Sequence, residues 1–347
     1  MRAILHSFAT RFLPRRPLLL GLAAGLALSG AGCLCCPRAA TRQAEHRDIE
    51  LRYAVAVANV PAGAAQLDLW LPCPPDTPHQ EVREVAVTSP FRHALARETR
   101  LGNRVIHLRA ERPPASFELE ARFTVRRYVH DPAVLPDSDR GVLRVARGPE
   151  RLVPLSGEAR ALAETIVRDE RDVTGKARAL YAHVLEHMTY DKSGQGWGRG
   201  CFTHARTVGR GNCTDYHAYF IGLCRNLGIP AFFEVGLSVP ESPPEGPTGA
   251  YHCWAYFWDG GKWVPVDISE ADQQPQRRDY LFGHLDYNRV AFSRGRDLVL
   301  EPRQRGEPIN FFIDPYVEVD GVPHGRVSRS CTYSPPGHTR LAAAGPQ

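Results

Sequence analysis

Little of this sequence's charge is left unbalanced once its first 32 residues are set aside. The chain of 347 residues holds 43 Lys and Arg against 38 Asp and Glu. Arg2, Arg11, Arg15 and Arg16 stand in that opening stretch without an acid, which leaves 39 against 38. A body so close to neutral lacks the basic stripe that phosphate backbones require, which argues against nucleic acid as a partner. Nine cysteines are present, and the one CxxC spacing, Cys33 to Cys36, has no second pair to complete the four ligands of a structural zinc site. The longest apolar run near the N-terminus, Leu18 to Leu28, is 11 residues, short of the roughly 20 that a membrane helix needs. The glycine-rich stretch Ser193 to Gly200 lacks the GxxxxGK[ST] spacing of a phosphate loop. No cluster of Asp and Asn suggests a calcium loop.

What is present is a globular composition, 43% hydrophobic and 23% charged, enough for one large domain or two ordinary ones. Arginines ending at Arg15-Arg16, the apolar run and the small residues Ser29-Gly30-Ala31-Gly32 follow the order of an export signal. Cys33 comes next, so residues 1–32 read as a signal peptide and Cys33 as a candidate lipidation site that would anchor the protein to a membrane. Gly30 is a poor match, since a larger aliphatic is usual there, and simple secretion stays open. Either way the expected location is periplasmic or cell-envelope. Which cysteines pair, if any, also stays open.

Residues 33–48 are polar and read as a tether. From 49 to 130, short alternating runs punctuated by Pro and Gly predict a small all-β, sandwich-like domain. Its histidines, His79, His93 and His107, are scattered and read as surface residues. A linker is expected at 131–154 and a second domain at 155–335, with a flexible tail at 336–347. That domain opens with two helices, marked by Ala161, Leu162, Ile166 and then Ala177, Leu180, Tyr181, Val184 at three- and four-residue steps.

The chemistry concentrates after residue 210. Tyr216, Tyr219, Phe220, Leu223 and Leu227 share one face of a helix that stops at Gly228 and Pro230. Asn212 is positioned to cap it and Asp215 to favour its dipole, which puts Cys213 in the first turn. A helix N-terminus lowers a thiol pKa, and its N–H groups can hold an oxyanion. Two strand-like runs follow, Ala250 to Trp258 and Lys262 to Ser269, joined by Asp259-Gly260-Gly261. A two-residue Asp259-Gly260 turn makes His252 oppose Asp267 across the hairpin. A turn at Gly260-Gly261 makes them diagonal neighbours, still on one face. Cys213 as nucleophile, His252 as base and Asp267 as the group that orients the imidazole form a candidate triad. Spacing alone does not bring Cys213 to His252.

The segments GNCTDYHAYFIGLCRNLGIPAFFEVG and YHCWAYFWDGGKWVPVDISEA resemble the transglutaminase-like superfamily. The resemblance rests on Gly211, Cys213, Arg225, Gly228, Ile229, Pro230 and Ala231, then His252, Trp254, Trp263 and Asp267, and covers about residues 180 to 275. Phe232 departs from the Arg that often follows Ile-Pro-Ala, which touches no candidate catalytic residue. The resemblance implies a papain-like α+β core, the Cys-bearing helix packed on an antiparallel sheet, preceded here by the β-rich domain. It also implies acyl transfer through a Cys thioester on a peptide or protein substrate, without a cofactor or a metal. Hydrolysis is favoured over crosslinking to an amine. The competing reading is an inactive papain-like scaffold that binds peptides at the envelope. Cys224 and Cys253 are expected in the core, His204 and His217 on the surface, and Trp197 and Tyr190 are candidates to line the cleft.

Overall fold

The computed structural model describes residues 44–337, so the signal, Cys33 and most of the tether and tail lie outside the described residues. Six strands come first: β1 (His46–Val57), β2 (Gln66–Cys73), β3 (Gln80–Thr88), β4 (His93–Arg97), β5 (Arg104–Glu111) and β6 (Phe117–Tyr128). Helices α1 (Gly157–Ile166) and α2 (Val173–His187) follow. Then come the two-residue strand β7 (Thr189–Tyr190), α3 (Phe202–Val208) and the two-residue β8 (Arg210–Gly211). The long helix α4 (Cys213–Asn226) leads to β9 (Ala231–Ser238), β10 (Gly246–Pro247), β11 (Tyr251–Trp258) and β12 (Trp263–Val266). Helix α5 (Ile268–Gln273), β13 (Arg289–Arg294), β14 (Tyr316–Val319), β15 (Val322–Pro323) and β16 (Val327–Ser334) complete the order.

Two five-stranded antiparallel sheets form the β-rich part, in the orders β10-β16-β1-β6-β3 and β15-β14-β2-β5-β4. Alternation in β1 buries Ile49, Leu51, Tyr53, Val55 and Val57, and in β6 Leu119, Ala121, Phe123 and Val125. Three of the five strands in each sheet therefore come from where they were expected. The other two strands of each depart from the expected boundaries, because β10, β14, β15 and β16 lie inside the segment read as the second domain. β16 pairs with β1 from Glu50↔Ser334 to Val57↔Val327, and β14 pairs with β2. The physical reason is the edge: β1 and β2 would each expose an unpaired row of backbone groups without those returning strands. The described residues, 44–337, lie in one compact unit.

The third sheet has the order β12-β11-β9-β13 and is buried on both faces. Cys253, Ala255 and Phe257 share a core with α4, whereas Trp254, Tyr256 and Trp258 pack with Trp70, Val105 and Leu101 from the β-rich part. Helix α4 is buried along its whole length, not along one stripe. Its polar side is satisfied internally: Arg225 donates to the Ala231 and Gly148 carbonyls and to Glu150, and Asn226 to the Pro154 and Gly222 carbonyls. Among the described residues, no helix is long and apolar enough to cross a membrane.

Candidate active site

Helix α4 begins as its sequence implies. The Asn212 side chain accepts the Thr214 N–H at 2.9 Å, and the Asp215 carboxylate accepts the Asn212 N–H at 3.0 Å, a reciprocal cap. Asp215 does more than its dipole role, since it also accepts the N–H of Gly198 at 2.6 Å and of Gly200 at 2.9 Å. The glycine-rich stretch is therefore a strap held against the start of α4. Gly200 has a φ of 63°, and a Cβ there would lie 2.8 Å from Thr214 and 3.0 Å from Arg296. Only glycine fits such an approach.

Cys213 sits in the first turn, 2% exposed. Its thiol pKa is held well below the usual range. Hydrogen bonding from Cys253 comes first, burial opposes it, and the hydrogen bond and charge of His252 add to the lowering. His252 Nε2 lies 2.6 Å from Asp267 Oδ2, which leaves Nδ1 for the thiol. Burial works against the imidazolium, yet the Asp267 charge and hydrogen bond, with those of Cys213, push its pKa up to about 10. Burial likewise opposes ionisation of Asp267, but His252 and then Arg289 hold it well below the usual carboxylate range. Thus the three residues singled out from sequence come together around one buried thiol.

The hairpin that delivers them takes the second of the two registers. Trp258 pairs with Trp263 and Ala255 with Val266. The connection is the four residues 259–262, closed by Asp259, whose carboxylate accepts the Gly261 and Lys262 N–H groups at 2.8 Å. That bracing by Asp259 displaces the two-residue Asp-Gly turn, and His252 and Asp267 become diagonal. Asp267 itself lies just past β12 as the N-cap of α5, with its Oδ1 accepting the Glu270 N–H at 3.1 Å.

Sequence reasoning missed three supporting groups. Arg289, 3% exposed, donates to Asp267 Oδ2 and to Glu270 Oε2, each at 2.8 Å. It lies 22 residues beyond Asp267 on another strand, so no local spacing announces it. His252, Asp267 and Glu270 bring donor atoms within 4.8 Å of one another, but the guanidinium of Arg289 already supplies the cation that both carboxylates face. His217, expected on the surface, is fully buried: its Nδ1 is 2.7 Å from the Cys213 carbonyl and its Nε2 accepts the Ile268 N–H at 3.0 Å. The reason is that α4 is covered on its polar side too. Cys253 is buried as expected, but it abuts the site, 3.7 Å from His217 Nδ1.

The remaining predictions divide. His93 is exposed, but His79 is 2% exposed and stacks on His130 at 3.3 Å, and His107 is turned inward against Trp70 and bonded to Asp68 at 2.8 Å. His79 stands in the turn before β3, where it stacks on His130, and β5 is packed on both faces around His107, which draws both inside. Tyr190 lines a cleft of about 400 Å³ beside His252, together with Tyr251, Gln273, Arg277 and Asn288. Trp197 and His204 are part-exposed. A larger open depression of about 710 Å³ crosses β1, β6 and β16, but it contains none of the three reactive groups, so the chemistry selects the smaller cleft. The six described cysteines, Cys73, Cys201, Cys213, Cys224, Cys253 and Cys331, are all free thiols.

Residues 160–268 match the model of the transglutaminase-like superfamily. This segment is a transglutaminase-like domain. A protein of Haemophilus influenzae described only as uncharacterized is 26% identical over 315 residues, which cover 76% of this chain and 84% of that one. Among solved structures, a candidate cysteine protease from Cytophaga hutchinsonii superposes with a TM-score of 0.53 at 15% identity, covering 83% of this chain and 90% of that one. This likeness shows a shared fold. The periplasmic domain of TgpA from Pseudomonas aeruginosa matches at a TM-score of 0.36 and 17% identity, over 69% of this chain and 92% of that domain.

Proposed function

We propose that the transglutaminase-like domain hydrolyses peptide or isopeptide amide bonds through a thioester on Cys213. The observation that carries this reading is the chain of contacts from Asp267 to His252 to the buried thiol, with the pKa values of Cys213 and His252 moved in opposite directions. A lowered thiol beside a raised imidazole is a thiolate–imidazolium pair, the reactive form of such a nucleophile.

In this scheme the Cys213 sulfur attacks the amide carbon and the carbonyl oxygen becomes an oxyanion. The Cys213 N–H at the start of α4 is the donor this scheme assigns to that charge, since the N–H groups of Thr214, Asp215 and Tyr216 are taken up by Asn212. Collapse of the intermediate breaks the C–N bond, and the proton on His252 goes to the departing nitrogen. A water then gives its proton to His252, attacks the thioester and releases the acid and the thiol. Asp267 keeps the imidazole oriented through both steps, and Arg289 keeps Asp267 ionised and fixed.

Export to the periplasm or cell envelope is part of the same reading. It is supported by the arginine-rich start, the apolar run and the small residues before Cys33, which would carry a lipid anchor.

The pH dependence of iodoacetamide labelling at Cys213, located by mass mapping, tests the reading in wild type and His252→Ala. An apparent pKa well below about 8.5 that moves back up in the variant supports the pair. An unreactive Cys213, or identical profiles, sinks it.

A further inference from the structure

His217 is not part of the triad, yet it joins the two ends of it. The side chain is 0% exposed and reaches from the second turn of α4 to the first turn of α5. At one end it meets the backbone carbonyl of the nucleophile, Cys213, at 2.7 Å. At the other it accepts the N–H of Ile268, the residue that follows Asp267, at 3.0 Å.

The chemistry of the two contacts fixes the ring's state. A carbonyl oxygen can only accept, so Nδ1 must carry the proton. A backbone N–H can only donate, so Nε2 must be bare. One neutral tautomer satisfies both, and burial supports it by pushing the His217 pKa down. The groups facing His217 from the neighbouring elements are Asp267, whose Oδ1 is 3.8 Å from Nε2, Cys213, His252 and the Cys253 thiol at 3.7 Å from Nδ1.

We propose that His217 is a positioning residue for the transglutaminase-like site: a neutral imidazole strut that holds the Cys213 turn at a set distance from the Asp267 turn. The proposal rests on the reading of Cys213, His252 and Asp267 as a triad. His252 spans from the thiol to Asp267, so that relay depends on the separation of the two backbone turns. His217 sets this separation from below, through main-chain atoms that side-chain motion does not release. Catalytic groups need such support, because a displacement of about 1 Å can cost on the order of a hundredfold in rate.

The test is the pH profile of Cys213 alkylation by iodoacetamide in the full chain, read by mass mapping for wild type, His252→Ala, His217→Phe and His217→Asn. Phe keeps the ring's bulk and removes both contacts. Asn keeps a donor near the Cys213 carbonyl and abandons Ile268. In His217→Phe the acid limb is expected to move up by about one pH unit, which lowers labelling on that limb about tenfold, while thermal melting stays cooperative. His217→Asn is expected to move it the same way by less. A folded His217→Phe with the wild-type profile overturns the strut. Should the Phe variant not melt cooperatively, a wild-type profile in His217→Asn overturns it instead. If wild type labels with a lowered pKa that His252→Ala restores and His217 variants leave alone, the triad stands and the strut alone fails. If wild type labels as an ordinary thiol, the triad fails and the strut falls with it.

Discussion

At the scale of single residues, the site is a set of opposed pKa shifts held around a buried thiol, and their signs dictate its pH behaviour. The imidazole of His252, pushed up to about 10, stays protonated from its unfolded range upward through neutrality. Its contribution to stability is therefore complete below the unfolded value of about 6.5 and is lost as pH rises through the folded value. Asp267 has the reverse sign: its contribution is present above the ordinary carboxylate pKa and is lost as pH falls through its depressed one. Hydrolysis of a peptide substrate should consequently hold a broad plateau. It should decline as pH approaches about 10, where the imidazolium that protonates the leaving nitrogen disappears. An alkaline limb centred near 7 in the rate profile would contradict this. Arg289 gives a second expectation at the same scale. Arg289→Met removes the guanidinium that bridges Asp267 and Glu270 and leaves them only His252 and Arg277, and one partner lost from a buried ion pair costs roughly 3–5 kcal/mol. Urea unfolding would read that loss, and a cost under about 1 kcal/mol would mean the pair behaves as a surface one.

Elements carry the geometry that the residues need, and two of them fit so closely that a single methyl group should be felt. Gly236 on β9 lies against β13, where an added Cβ would stand 2.0 Å from the Val290 carbonyl oxygen. That oxygen is backbone and does not swing aside. Gly236→Ala should therefore part the two strands beside His252, which pairs with Gly236 across β9, at a cost of roughly 1–3 kcal/mol. Thermal melting of the variant checks this, and an unchanged midpoint would refute it. The same scale shows what was legible beforehand. Asn212, Cys213 and Asp215 announce a capped helix start because capping is local. The hairpin was legible as a hairpin, but its register was not. Asp259 chooses a four-residue connection through its own side-chain bonds, and both registers keep His252 and Asp267 on one face. Arg289 and His217 were not legible as support: the first acts from another strand, and the second faces a side of α4 whose burial depends on the packing of α1, α2, α3 and α5 around it.

Across the described residues, the decisive fact is that the first strands and the last strands build the same sheets. The sequence alternation in residues 49 to 130 read correctly as strands, yet nothing local says that β1 awaits a partner near residue 330. Tyr53 illustrates the dependence: it is fully buried, pairs with Cys331 on β16, and its hydroxyl donates to the Ile313 carbonyl at 2.8 Å. The sheet that carries His252 is in turn packed through Trp254, Tyr256 and Trp263 against Trp70 and Val105 of the β-rich part. A segment starting at residue 155 would expose those aromatic rings and leave β16 without β1. Removal of residues 327–347 would strip β1 of one neighbour and open a long apolar edge to aggregation. The expected outcome is that neither truncation yields a monomeric, cooperatively melting protein, and that the intact chain unfolds in one transition seen alike by near-ultraviolet circular dichroism and by Cys213 reactivity. Two separated transitions in the intact chain would instead mean that the transglutaminase-like core stands without the strands that close over it.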